Sequence, residues 1–75
     1  MLSASPCWEV HEVSNGTNWS VLAMTAPAAV CRAIGETVLS NVSCTGYSGH
    51  DGEEKVFSYK HLPSSRVFEV RRREP

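Results

Sequence analysis

Apolar and polar residues alternate through residues 8–24 with a break at Asn15-Gly16, the pattern of two short strands folded back on each other. Asn-Gly is favoured in type I′ turns, where both central residues need positive φ. Taken as a two-residue loop, the dipeptide opposes Ser14 to Thr17 and sets the other partners by counting outward. Opposed residues of an antiparallel pair point to the same side. Trp8, Val10, Glu12, Trp19, Val21 and Ala23 therefore share one face. Cys7, Glu9, His11, Val13, Ser20, Leu22 and Met24 share the other. Both tryptophans fall on the first face, which is the expected core side.

The period then changes from two to that of a helix. Ala26, Ala29, Val30, Ala33 and Ile34 form one apolar stripe at helical spacing. Thr25 is placed as its N-cap, Pro27 lies in the first turn, and Gly35 follows as the residue that ends it. An alanine stripe lets such a helix lie close against a sheet. Strand patterns return at residues 38–44, 55–60 and 66–71. A second type I′ turn is predicted at Asp51-Gly52, opposing Cys44 to Tyr59 and Gly46 to Phe57. Val42, Cys44, Phe57 and Tyr59 then line one face, continued by Phe68 and Val70, and residues 45–53 read as a mobile loop.

The predicted order is β-β-α-β-β-β: a two-layer α+β domain with one helix packed on a mainly antiparallel sheet. Residues 1–75 form a single small domain. One helix cannot cover both faces of five strands, so the far face must meet water or another molecule. A thin core in so short a chain makes a partner, including a second copy of the chain, a reasonable expectation.

Net charge is −1, too balanced by itself to imply nucleic acid or membrane binding. Its distribution is uneven. Residues 1–59 hold Arg32 and Lys55 against six acidic residues, whereas residues 60–75 hold five basic residues against two acidic ones. Three cysteines cannot all pair and match no disulfide framework, which suggests small core residues in a reduced compartment. The first residues lack the basic segment and apolar run of a signal peptide, and no stretch reaches membrane-spanning length, so a cytoplasmic location is expected. Each asparagine lies in an N-x-S/T sequon (Asn15, Asn18 and Asn41), read here as coincidence because no secretion signal accompanies them.

No arrangement carries recognisable chemistry. Cys7 and His11 have the spacing of half a zinc site, but Cys31, Cys44, His50 and His61 supply no second close pair, so no metal and no cofactor is expected. Cys44 with His50 or His61 lacks any surrounding motif for nucleophilic catalysis, and no enzymatic activity is expected. Two surfaces remain. Glu9, His11, Glu12, Leu22, Met24, Asp51, Glu53 and Glu54 combine acidic groups with exposed apolar ones, the makeup of a protein-binding patch. Arg66, Arg71, Arg72 and Arg73 form the alternative, a nucleic-acid-binding or regulatory surface.

The layout of 75 residues, a strand hairpin, a short Ala-rich helix from Thr25 to Ile34 and a following meander resembles the small phage-encoded anti-CRISPR proteins. Several of those share this size and organisation. It is a likeness of layout and brings no functional residue with it. It implies a non-enzymatic inhibitor that binds a CRISPR effector complex in the host cytosol and blocks target-DNA binding or nuclease recruitment. The acidic residues would then act as a mimic of DNA charge.

Overall fold

The computed structural model describes residues 6–49 and 54–73. Five strands and one helix run in the order β1 (Cys7–Glu12), β2 (Asn18–Leu22), α1 (Ala26–Ile34), β3 (Val42–Ser48), β4 (Val56–His61) and β5 (Arg66–Arg73), with a single 3₁₀ turn at Leu39–Asn41 before β3. The strands form one antiparallel sheet, ordered β2-β1-β5-β4-β3. This is the expected two-layer α+β arrangement. The helix carries the chain from one sheet edge, β2, across the core to the other edge, β3. The last strand, β5, lies in the middle.

The helix forms as its sequence predicts. Thr25 has extended backbone and its Oγ1 accepts the Ala28 N–H at 3.4 Å, while Pro27 occupies the first turn, where an N–H is not needed. Gly35 ends it in the left-handed region at φ 75°, and the Glu36 N–H returns to the Cys31 carbonyl at 2.9 Å. Ala26, Ala29 and Val30 press onto Trp8, Val10, Phe68 and Val70, which are all buried. Trp8 is fixed further by its indole N–H, which donates to the Ala23 carbonyl at 2.8 Å.

The first hairpin keeps its predicted faces but not its predicted register. Trp8 opposes Val21 and Val10 opposes Trp19, a displacement of two residues from pairing about a two-residue turn. Glu12 donates its N–H to the Thr17 carbonyl at 2.8 Å, so residues 13–16 form a four-residue loop. Only Gly16 in it has positive φ, at 74°, which excludes a type I′ turn at Asn15-Gly16. Asn15 turns the chain with its side chain instead, Oδ1 accepting the Thr17 N–H at 3.0 Å. A displacement of two preserves side-chain parity, so Trp8, Val10, Glu12, Trp19 and Val21 still face the helix.

The loop between β4 and β5 is built the same way. Gly16 and Ser65 each close a four-residue loop by donating to the carbonyl four residues back, Glu12 at 3.0 Å and His61 at 2.7 Å. Ser65 holds the left-handed position at φ 60° that glycine takes in the first loop.

The second half departs more from expectation. Residues 38–41 are not strand, because Leu39–Asn41 tighten into the 3₁₀ turn. Cys44 does oppose Tyr59, but an irregularity between Cys44 and Gly46 displaces the later pairs, joining Gly46 to Ser58 and Tyr47 to Phe57. Tyr47 thereby meets the Phe57 ring, with centroids 5.1 Å apart, and Cys44 is exposed rather than a core residue. Strand β3 continues to Ser48, into the segment expected to be loop, and the predicted Asp51-Gly52 turn lies outside the described residues. Of the three free cysteines only Cys31 is buried.

Candidate functional site

Strand pairing decides which side chains reach the uncovered face. Leu22, Cys7 and Arg73 form one row across the sheet, followed by Ser20, Glu9, Arg71 and Val56. Asn18, His11, Glu69 and Ser58 form the next, and Val67 with Lys60 comes last. This face is polar, and Glu9, Glu54, Arg71 and Arg73 on it are paired with one another. Arg73 donates Nε and Nη2 to the two Glu9 oxygens at 2.9 and 3.0 Å, and Nη1 to Glu54 Oε1 at 3.1 Å. Arg71 Nε lies 3.6 Å from Glu54 Oε2. The two-pronged Arg73 contact holds the Glu9 carboxyl below its ordinary range and raises the guanidinium in turn. His11 Nδ1 and Asn18 Oδ1 meet at 2.8 Å at the edge of the same face.

Glu12 belongs to the other side of the sheet. It is 3% exposed, the only charged residue in the core among the described residues. Arg66 grips it through Nε at 2.9 Å and Nη2 at 2.6 Å, while Ser14 and Asn15 donate to it from the loop at 3.2 and 3.3 Å. Such a fully bonded carboxylate is the form in which a buried charge is tolerated, and the Arg66 contact holds it below its usual value. The guanidinium also lies 5.3 Å from the Phe68 ring centre.

These contacts redistribute both predicted surfaces. Glu9 and Glu54 stand on the open face beside arginines, Glu12 is buried, and Asp51 and Glu53 lie outside the described residues. Among the described residues, Glu9, Glu12 and Glu54 are therefore not assembled into one exposed acidic patch. Among the arginines, Arg66, Arg71 and Arg73 contact carboxylates of their own chain from the central strand rather than from a solvated tail, and Arg72 is exposed. Leu22 and Met24 do stand out at one corner of the open face, 58% and 72% exposed. Sequence reasoning found the two apolar residues through strand parity. The charge pairs escaped it, since they depend on β5 lying next to β1.

A second polar cluster was not anticipated. Glu36 Oε1 accepts from His61 Nε2 at 2.6 Å and from Asn41 Nδ2 at 3.1 Å, and Oε2 accepts the Val38 N–H at 3.0 Å. These bonds, the His61 contact foremost, lower the Glu36 carboxyl from 4.5 to about 2. His61 Nδ1 meets Ser64 Oγ at 2.6 Å. Glu36 also borders an open hollow of about 340 Å³ lined by Ala28, Cys31, Arg32, Gly35, Thr37 and Leu39. Among the described residues, no group of three or more His, Cys, Asp or Glu is placed to hold a metal ion, and no helix is long and apolar enough to cross a membrane.

Fold and surface together define a two-layer α+β domain with one sheet face covered and the other open. Compared with protein-family models, curated proteins and solved structures, the chain matches none.

Proposed function

We propose that this chain is a non-enzymatic protein-binding inhibitor that acts by occupying a partner's surface through the open face of its sheet. The partner in this reading is a CRISPR effector complex, the role that the anti-CRISPR-like layout implies. The observation that carries it is the corner where Leu22 and Met24 stand exposed beside Glu9 and Arg73, whose charges already satisfy each other. Exposed apolar side chains next to a polar rim are the makeup of a protein interface.

The same charge pairing changes the mechanism expected from sequence. Among the described residues, the open face offers Glu9, Glu54 and Glu69 against Lys60, Arg71 and Arg73. A balanced face projects neither the negative field of a DNA mimic nor the positive field that holds phosphates. Contact is thus assigned to the apolar corner, with the ion pairs setting orientation.

Purified protein is to be mixed with purified CRISPR effector complexes of several types, followed by size-exclusion chromatography and target-DNA cleavage. Co-elution with one type, loss of its cleavage, and reversal of both by Leu22→Asp with Met24→Asp are expected. Failure to co-elute with any type removes the effector assignment, and unchanged binding by the double variant removes the corner.

A further inference from the structure

The second cluster is a chain of short contacts from Glu36 through His61 to Ser64. Glu36 is a carboxylate that only accepts, so the hydrogen between it and His61 resides on Nε2. A neutral imidazole protonated there presents Nδ1 as an acceptor. In that tautomer its partner at 2.6 Å, Ser64 Oγ, donates the hydrogen of the bond. The hydroxyl keeps capacity to accept, which matches the Arg66 N–H at 3.4 Å. The relay therefore runs from carboxylate to imidazole to serine hydroxyl. This is the order in which an oriented base activates a nucleophile, with the two ring nitrogens interchanged relative to the serine-protease arrangement.

Exposure is graded along the relay as nucleophilic chemistry requires. The side chains of Glu36 and His61 are 14% and 13% exposed, whereas Ser64 is exposed on its four-residue loop. Glu36 follows the helix, and the Asn41 and Val38 bonds hold its carboxylate from the 3₁₀ segment. The His61 ring is thus anchored by an element remote in sequence, and Ser64 is presented to solvent beside the left-handed Ser65.

We propose that Ser64 is an activated nucleophile that accepts acyl groups from activated carboxylic esters, with His61 as its base and Glu36 as the positioning residue. Oγ attacks the ester carbonyl carbon as its proton passes to His61 Nδ1. The new Oγ–C bond replaces the bond to the leaving alkoxide or phenoxide, and the imidazolium returns its proton to the departing oxygen or to solvent. The product is an acylated Ser64, reached by a single acyl transfer with no redox partner. This site lies at the end of the strands opposite Leu22 and Met24, so it stands or falls independently of the binding surface.

The test uses the intact chain and p-nitrophenyl acetate, with acetylation mapped by peptide mass spectrometry. A positioned general base contributes about 100-fold or more. Ser64 should therefore acetylate at least about 100-fold faster than its exposed neighbour Ser65, an internal control in the same loop. His61→Gln should remove that advantage, and Glu36→Gln should reduce it without altering the fluorescence of Trp8 and Trp19. Equal modification of Ser64 and Ser65 in the unmutated chain overturns the proposal whatever the variants do. Preference for Ser64 that survives His61→Gln overturns the relay.

Discussion

Replacing Gly16 and Gly46 by alanine should move stability in opposite directions, although both changes add one methyl group near a strand end. At Gly16 the added Cβ meets nothing within 4 Å, so packing plays no part and the backbone alone decides. Its φ of 74° places an L-residue in the left-handed region, at about 1–2 kcal/mol. Restricting the unfolded chain returns about 0.4–1 kcal/mol, leaving a net loss near 1 kcal/mol. Gly46 lies outside the left-handed region, and a Cβ there would sit 3.9 Å from the Ser58 Cβ, an ordinary contact. Only the unfolded-state term remains, so Gly46→Ala should stabilise by about 0.4–1 kcal/mol. For a domain of this size, 1 kcal/mol corresponds to a Tm change of about 4–8 °C. Urea and thermal unfolding followed by tryptophan fluorescence measure both variants. A Gly16→Ala protein as stable as the parent would refute the four-residue loop closed by a left-handed glycine. A Gly46→Ala protein destabilised as much as the other would refute the placement of that residue in an extended strand.

Three further outcomes rest on the side-chain contacts. Leu22→Asp and Met24→Asp should each leave stability within about 0.5 kcal/mol, since both side chains already face water. Covering their exposed portions would contribute about 1–2 kcal/mol each, so the double variant should weaken partner binding by about 30-fold to 1,000-fold in surface plasmon resonance. Arg66→Met should lower the urea midpoint sharply by leaving the Glu12 carboxylate buried without its guanidinium, and adding Glu12→Gln should recover much of the loss. The Glu36 carboxyl titrates at about 2 in the folded chain against an ordinary 4.5, so its contribution to stability is complete above pH 4.5 and is lost as pH falls toward 2. Across that window the urea midpoint of the parent protein should fall more steeply than that of Glu36→Gln.

Local signals carried the elements, and distant ones carried their meaning. The helix was legible because Thr25, Pro27, the alanine stripe and Gly35 all act within a few residues of one another. The faces of the first hairpin were legible despite the wrong turn, since a shift of two leaves each side chain on its side. The irregularity after Cys44 shifts pairing by one and so placed Tyr47 rather than Gly46 opposite Phe57. Four-residue loops escaped notice for different reasons. Asn15-Gly16 signals a tighter turn than it makes, and Ser65 carries no signal for the left-handed conformation it adopts. Glu12 and Arg66 lie 54 residues apart, and Glu36 and His61 lie 25 apart. Pairs at such separations become visible only once the strand order is known, and a helical crossover leaves that order open.

The central place of β5 bears on how the chain is made. All strand pairing that joins the β1–β2 hairpin to the β3–β4 hairpin passes through residues 66–73, the last described to be synthesised. Until they leave the ribosome, the two hairpins have no common strand, and Val10 and Tyr59 lack the Val70 and Phe68 that lie against them. The core therefore closes only after these residues emerge, through ring closures that span nearly all the strands. A nascent protein in this condition offers unpaired strand edges to chaperones and proteases, and a stop codon just before Arg66 would leave two hairpins with no strand between them.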